Sequence, residues 1–344
     1  MNVGGRITIE TKNLMKYKLF IFAATLLWGS SFFVHKITMD VFNPISLVAL
    51  RNTTAFVVLG CFQWKKLKGL DRSYLKAALL MGTIVYSGFV ISSYGLIGTE
   101  PGVNAFLTAV YCIIVPFFAW IISKNRPHGA QFGAAIICII GIGFVSLKPD
   151  FTIGIGDALS LVSGVIFAVQ IVLISHYTQK KDPVVLTLLI FGVTAVLAWA
   201  TVGVGGVSIL NDGVRLTADA MFGLFYLSIP TTLVAFLLQN TAQKHVNPSA
   251  ASLILSLEAV FAVIFSMIFY GEQLTVQLVC GFALIFFAIV ISETRLSFFT
   301  DRVPKWRTKS LENPAASRVV YQEINGFSDQ VPGQEISLKK HLDK

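Results

Sequence analysis

Charge is what this sequence has least of. Only 13% of its 344 residues are Asp, Glu, Lys or Arg, against 55% hydrophobic, and the mean hydropathy is +0.73. Soluble domains carry roughly 25% charged residues, so this composition excludes an ordinary soluble globular enzyme and points to a lipid bilayer as solvent. Cysteine is scarce too. Cys61, Cys112, Cys138 and Cys280 lie inside apolar runs without paired spacing. That argues against a disulfide framework or a zinc site and leaves them as small packing residues. The five histidines are scattered, so no metal is expected. No HExxH, Walker A or dinucleotide fingerprint is present, which leaves ATP-driven pumping and a bound cofactor without support. Acidic residues are outnumbered, giving a net charge of +9. The basic excess sits in short loops between apolar runs, the pattern of cytoplasmic membrane loops rather than of a nucleic-acid surface.

What is abundant is apolar sequence in lengths that cross a bilayer. About ten spans fall near 17–38, 44–63, 74–96, 101–123, 129–147, 156–178, 183–205, 218–242, 248–270 and 274–292. Each approaches the ~20 residues that a helix needs for a ~30 Å hydrocarbon core. The fold class predicted is an all-α polytopic membrane protein. Several spans open on proline, at Pro44, Pro101, Pro183 and Pro248, where the missing N–H would be unpaired in any case. The first span is too long for a signal-peptide core and lacks a small-residue cleavage site. Basic residues gather before the first span, at Lys65, Lys66, Lys68 and Arg72, at Lys124 and Arg126, at Lys180 and Lys181, at Lys244, and after the last span. Every second loop is thus basic, which predicts a cell-membrane protein with both termini in the cytoplasm. Residues 1–16 form a cytoplasmic lead-in, and residues 294–344 a polar tail too poor in apolar residues to fold alone.

The two halves echo each other. Trp28-Gly29 precedes Pro44 by the same offset as Phe167-Ala168 precedes Pro183, and the run from Ala105 matches that from Ala251 in length and pattern. This divides the chain into repeats at 17–147 and 148–293. Five helices are an odd number, so the second copy inserts upside down. Inverted repeats around a midplane site are typical of alternating-access transporters.

Specific residues strengthen this reading. They are Leu27-Trp28-Gly29-Ser30-Ser31-Phe32, Gly156-Asp157, the stretch Gln239 to Pro248, Ser256-Leu257-Glu258, and Gly271-Glu272. In combination they resemble the EamA-type branch of the drug/metabolite transporter superfamily, over roughly residues 17–292. The resemblance implies two inverted five-helix repeats and export of small metabolites, often amino acids or related compounds. The family usually has proline after the glutamate, whereas Ala259 follows Glu258 here; Pro116 stands in the repeat-related helix.

Glu258 is the first site candidate, because a carboxyl halfway along a span is costly unless it meets a cavity or a partner. Ala251, Leu255, Glu258 and Ala262 share one helical face. The glutamate could bind a substrate amine, carry a coupling proton, or tie helices together by a hydrogen bond. Arg51 could attract a substrate carboxylate, snorkel outward, or form a structural ion pair. Trp28, Ser31 and His35 share a face of the first span. Phe236, Gln239, Asn240 and Gln243 adjoin one another after an expected kink at Pro230, and Tyr94 holds the place in the first repeat that Asn240 holds in the second. Together they predict a mixed aromatic and polar cavity for a small-molecule substrate, formed mainly by spans 1, 3, 4, 6, 8 and 9; ordinary packing is the alternative for each taken singly. Gly156, Ser160 and Gly164 form a ladder of small residues assigned to helix packing, as are Gly141 and Gly143.

Two motif matches carry nothing. Gly154-Ile155-Gly156-Asp157 fits the GxGD string of intramembrane aspartyl proteases, which need a second membrane aspartate, whereas Asp40, Asp71, Asp182, Asp212 and Asp219 fall in loops or at span ends. Asn52-Thr53-Thr54 fits a glycosylation sequon but lies inside a helix. The prediction is a secondary transporter rather than an enzyme. A sugar-phosphate or nucleotide-sugar carrier would need more intramembrane cations than Arg51. A membrane enzyme would need paired catalytic groups in the spans, and a sensor would need a folded output module. The inverted fold does not by itself call for a dimer.

Overall fold

The computed structural model describes residues 3–67, 70–123, 129–146 and 153–294. Lys68, Lys124, Arg126, Lys148 and the predicted polar tail beyond residue 294 lie outside them. The described chain is helical: α1 (Val3–Thr38), α2 (Pro44–Gln63), α3 (Arg72–Ile97), α4 (Pro101–Thr108), α5 (Tyr111–Ser123), α6 (Gly129–Ser146), α7 (Ile155–Thr178), α8 (Pro183–Gly205), α9 (Ala218–Tyr226), α10 (Ala235–Gln243), α11 (Pro248–Phe265) and α12 (Val276–Thr294). Among the described residues nine helical segments are long and apolar enough to cross a membrane, and Val276–Ser292 is a shorter apolar helix. Phe42 and Leu210 form an isolated antiparallel bridge between extended segments.

The helix starts follow from the sequence. Pro44, Pro183 and Pro248 each stand at the first helical position. The residue before each prolines' turn caps it: Asn43 accepts from Ile45 N–H at 3.1 Å, Asp182 from Val184 N–H at 2.8 Å, and Asn247 from Ala250 N–H at 2.7 Å. Such side chains satisfy N–H groups that a helix start otherwise leaves unpaired. Burial of the Asp182 carboxyl raises its pKa. The N–H groups of Val185 and Val184, with Lys66 at 3.3 Å, outweigh that and hold it below its ordinary 3.8.

Two spans are interrupted. The fourth breaks at Ala109-Val110 between α4 and α5, where the N–H groups of Cys112 and Ile113 bond three residues back instead of four. Pro116, inside α5, removes a further N–H. At Pro230 the expected kink takes the form of a π-helical stretch, Leu227–Val234, joining α9 to α10. By contrast α11 is continuous through Glu258 and Ala259 and turns π-helical from Ser266 to Tyr270.

Small residues set the close crossings. A methyl on Gly156 would lie within 2.8 Å of the Gly95 carbonyl and the Gly98 backbone, and one on Gly164 would lie 2.7 Å from the Thr108 carbonyl. Both pack α7 against the end of α3 and against α4 at backbone distance, as small residues do between membrane helices. Ser160, in the same ladder, accepts from Asn104 Nδ2 at 2.6 Å. Gly141 of α6 meets Gly281 and Ile285 of α12 in the same manner.

Apolar side chains form two main cores. One joins α1, α4, α5, α6, α7, α11 and α12 through residues such as Ile21, Val115, Cys138, Ile171, Leu255 and Ile285. The other joins α2, α3, α7, α8 and α10 through Val48, Met81, Ile174, Leu188 and Phe236. Trp28 and Phe167 pack against both cores. These are the two residues that occupy equivalent places before Pro44 and Pro183, so the repeat brings its matched aromatics to the seam.

Candidate functional site

A cavity of about 90 Å³ lies at that seam, room for on the order of half a dozen waters or a small solute. From α1 it receives Trp28, Ser31 and His35, three residues of one face. From α2 comes Arg51, from α10 Gln239, and from α11 Glu258. With Phe236, seven of the ten residues singled out in the sequence therefore meet in one place. Aromatic rings of Phe89, Phe167 and Phe236 complete the walls, and Phe89 and Trp28 each lie edge-on to Phe236.

Asn240, Gln243 and Tyr94 are placed elsewhere. Asn240 is fully buried and donates to Thr187 Oγ1 at 2.8 Å, which ties α10 to α8. Tyr94, its counterpart in the first repeat, is 39% exposed on α3 and does not line the cavity. Equivalent places in the repeat thus carry different environments.

Arg51 is 3% exposed and does not reach the membrane surface. Its Nε donates to Thr232 Oγ1 at 2.7 Å, and its guanidinium carbon lies 4.3 Å from the centre of the Phe89 ring. The latter is a cation–π contact. Thr232 belongs to the π-helical stretch at Pro230, and so does Thr231, whose carbonyl accepts from Trp28 Nε1 at 2.8 Å. The irregular turn thus supplies a carbonyl and a hydroxyl to two cavity residues. Such turns release backbone groups from the regular ladder and recur at functional sites.

Glu258 is 5% exposed and accepts from the Tyr111 hydroxyl at 3.0 Å. Tyr111 opens α5 just past the break in the fourth span. Among the described residues the ion pair formed is Lys66 with Asp182, at the edge of the bundle. Neither Arg51 nor Glu258 has an opposite charge within ion-pair distance there. His35 shares a 3.2 Å hydrogen bond with Ser93 on α3, beside Arg51 in the cavity wall. No group of three or more metal-ligating side chains occurs among the described residues.

Tyr111, Thr232 and Gln170 were not singled out in the sequence. Aligning Ala105 with Ala251 sets Cys112 at the place of Glu258, so Tyr111 adjoins the glutamate's repeat mate. That register could have found it. Thr232 carried no signal beyond its closeness to Pro230, and Gln170 only its polarity within an apolar span.

The comparison with known proteins fits this architecture. The sequence pattern of the EamA-like transporter family matches residues 15–147 and again 154–294, one match per five-helix half. The chain belongs to the EamA-like transporter family. An uncharacterized transporter of Archaeoglobus fulgidus is 30% identical over 275 residues, covering 79% of this chain and 83% of that protein. Protein PecM of Dickeya dadantii is 25% identical over 305 residues, 84% of this chain and 95% of PecM. The uncharacterized transporter YoaV of Bacillus subtilis is 22% identical over 290 residues, 79% and 94% of the two chains. A solved crystal structure shares the fold with a TM-score of 0.60 at 16% identity, over 80% of this chain and 96% of its own. This EamA-like chain is thus a multi-pass membrane protein, with relatives in Archaeoglobus fulgidus and Bacillus subtilis named as transporters, and its two family repeats meet where Trp28 and Phe167 face the cavity.

Proposed function

We propose that this protein is a secondary transporter that exports small zwitterionic metabolites, amino acids or related compounds, by alternating access. One observation carries the reading: Arg51 and Glu258, a basic and an acidic side chain, line one cavity without an ion pair between them. Holding an unpaired charge out of water costs several kcal/mol. A ligand carrying both charges would offset that cost, its carboxylate at Arg51 and its ammonium at Glu258. Phe89, Phe167, Phe236 and Trp28 would cover its apolar part. Emptying of the cavity would return Glu258 to Tyr111, and a coupling proton could occupy the same carboxylate between substrates. The alternation of basic loops supports a cell-membrane location with both termini in the cytoplasm.

The test is counterflow in proteoliposomes with labelled amino acids, amines, carboxylates and sugar phosphates, with and without an imposed proton gradient. Saturable exchange of zwitterions that fails for the matching amine and the matching acid is the expected result. Exchange of phosphorylated compounds instead would replace this substrate class. Chemical conversion of any compound by the purified protein would favour an enzyme.

A further inference from the structure

Four helices open on proline, and α4 differs from the other three. Its preceding residue, Glu100, makes no side-chain cap. The capping carboxylate arrives instead from the loop between α11 and α12 in the other repeat. Glu272 Oε2 accepts from Gly102 N–H at 2.8 Å and from the Ser266 hydroxyl. Glycine is needed there, because a methyl at residue 102 would fall 2.8 Å from both carboxylate oxygens. Glu272 reaches this point because α11 ends in the π-helical turn Ser266–Tyr270 and reverses at Gly271, whose φ of +80° suits glycine. The repeat mate of α4, α11 itself, is capped locally by Asn247, so the remote cap is not a general feature of the repeat.

The other side of the same turn is held by the opposite charge. Lys36 Nζ donates to the carbonyls of Leu96, Ile97 and Thr99 at 2.6, 3.0 and 2.9 Å. A cation there meets the negative end of α3, and an anion at Gly102 meets the positive end of α4. Both clamps connect to the cavity. Lys36 follows His35 in α1, Leu96 lines the wall, and Glu272 stands just past the reversal at Gly271 that ends the helix bearing Glu258. Elements α4–α5 touch α11 through Tyr111 and Glu258, and touch the loop after it through Gly102 and Glu272.

We infer that Lys36 and Glu272 form a latch on the α3–α4 turn that is set and released by the state of Glu258, with α11 as the connecting lever. The inference rests on the alternating-access reading, in which α11 must shift against α4–α5 as the cavity fills and empties. A static cap would hold Gly102 whatever Glu258 does. A latch would loosen when the Tyr111–Glu258 contact weakens.

Backbone hydrogen exchange of the full-length protein in nanodiscs separates the two. In Glu272→Ala the amides at 102–104 should exchange roughly tenfold faster, the effect expected from losing a charge-assisted hydrogen bond. Glu272→Gln keeps an acceptor oxygen and should fall between, which covers the case of an unstable alanine variant. The deciding variant is Glu258→Gln, predicted to speed exchange at 102–104 several-fold while leaving the start of α8 unchanged. Unaltered exchange at 102–104 in Glu258→Gln would overturn the latch and leave Glu272 a structural cap. This readout needs no transported compound, so a chain that moves nothing in counterflow would defeat the transporter reading without deciding the exchange result.

Discussion

The Tyr111 hydroxyl donates to Glu258 Oε1 at 3.0 Å, and this bond joins the broken fourth span of the first repeat to an unbroken helix of the second. The partners are nearly repeat mates. Glu258 stands in register with Cys112, so the donor comes from the residue beside the glutamate's own counterpart. A buried carboxylate with one protein donor keeps capacity for another ligand, since an ionised carboxylate can accept several hydrogen bonds.

Glu258→Gln keeps the volume but leaves Tyr111 only the weaker acceptor of a neutral amide, and it removes the charge. The variant is expected to insert and purify like the parent but to lose exchange by tenfold or more, the scale of one charged contact. Counterflow checks this, with gel filtration as the control for folding. Undiminished exchange would remove Glu258 from substrate or proton binding.

Arg51 and Thr232 make a second prediction. Arg51→Lys places a compact ammonium where a planar guanidinium stacks on Phe89 and donates through Nε. Substrate KM should rise by about tenfold with near-normal expression. Thr232→Val leaves the guanidinium Nε without its partner and should lower stability by about 1–3 kcal/mol, seen as a lower melting temperature in detergent.

Asp182→Ala removes the cap of α8 and should cost about 1 kcal/mol. The native carboxyl is held below its ordinary value of 3.8, so its contribution is fully present above that pH. It is lost as pH falls through the lower folded-state value. The melting temperatures of parent and variant should therefore converge on acidification below pH 3.8. A difference unchanged by acid would refute the capping account.

Gly102→Ala should destabilise through overpacking. The added methyl meets both Glu272 oxygens at 2.8 Å and Val263 at 2.9 Å, a clash of the kind that costs about 1–3 kcal/mol. Gly133 has open space around it, so Gly133→Ala is the matched control, and thermal unfolding of the two variants should differ clearly.

Much was legible in the sequence because its signals are local. Span length and hydropathy located the membrane helices, proline located four helix starts, and five helices per half dictated an inverted second copy. Cost alone marked Glu258 and Arg51, since a charge inside a span demands a reason. The tertiary structure decided what depends on which helix faces which. It set Tyr111 against Glu258, put Thr232 under Arg51 by way of a π-turn, and parted Tyr94 from Asn240 although the repeat equates them. It also gave α4 a cap from Glu272, far along the chain. Hydropathy fixes how far a helix goes through the bilayer, but lipid is as apolar as leucine and does not select its neighbours. Those come from close contacts of small residues and buried hydrogen bonds between helices, which no single stretch of sequence contains.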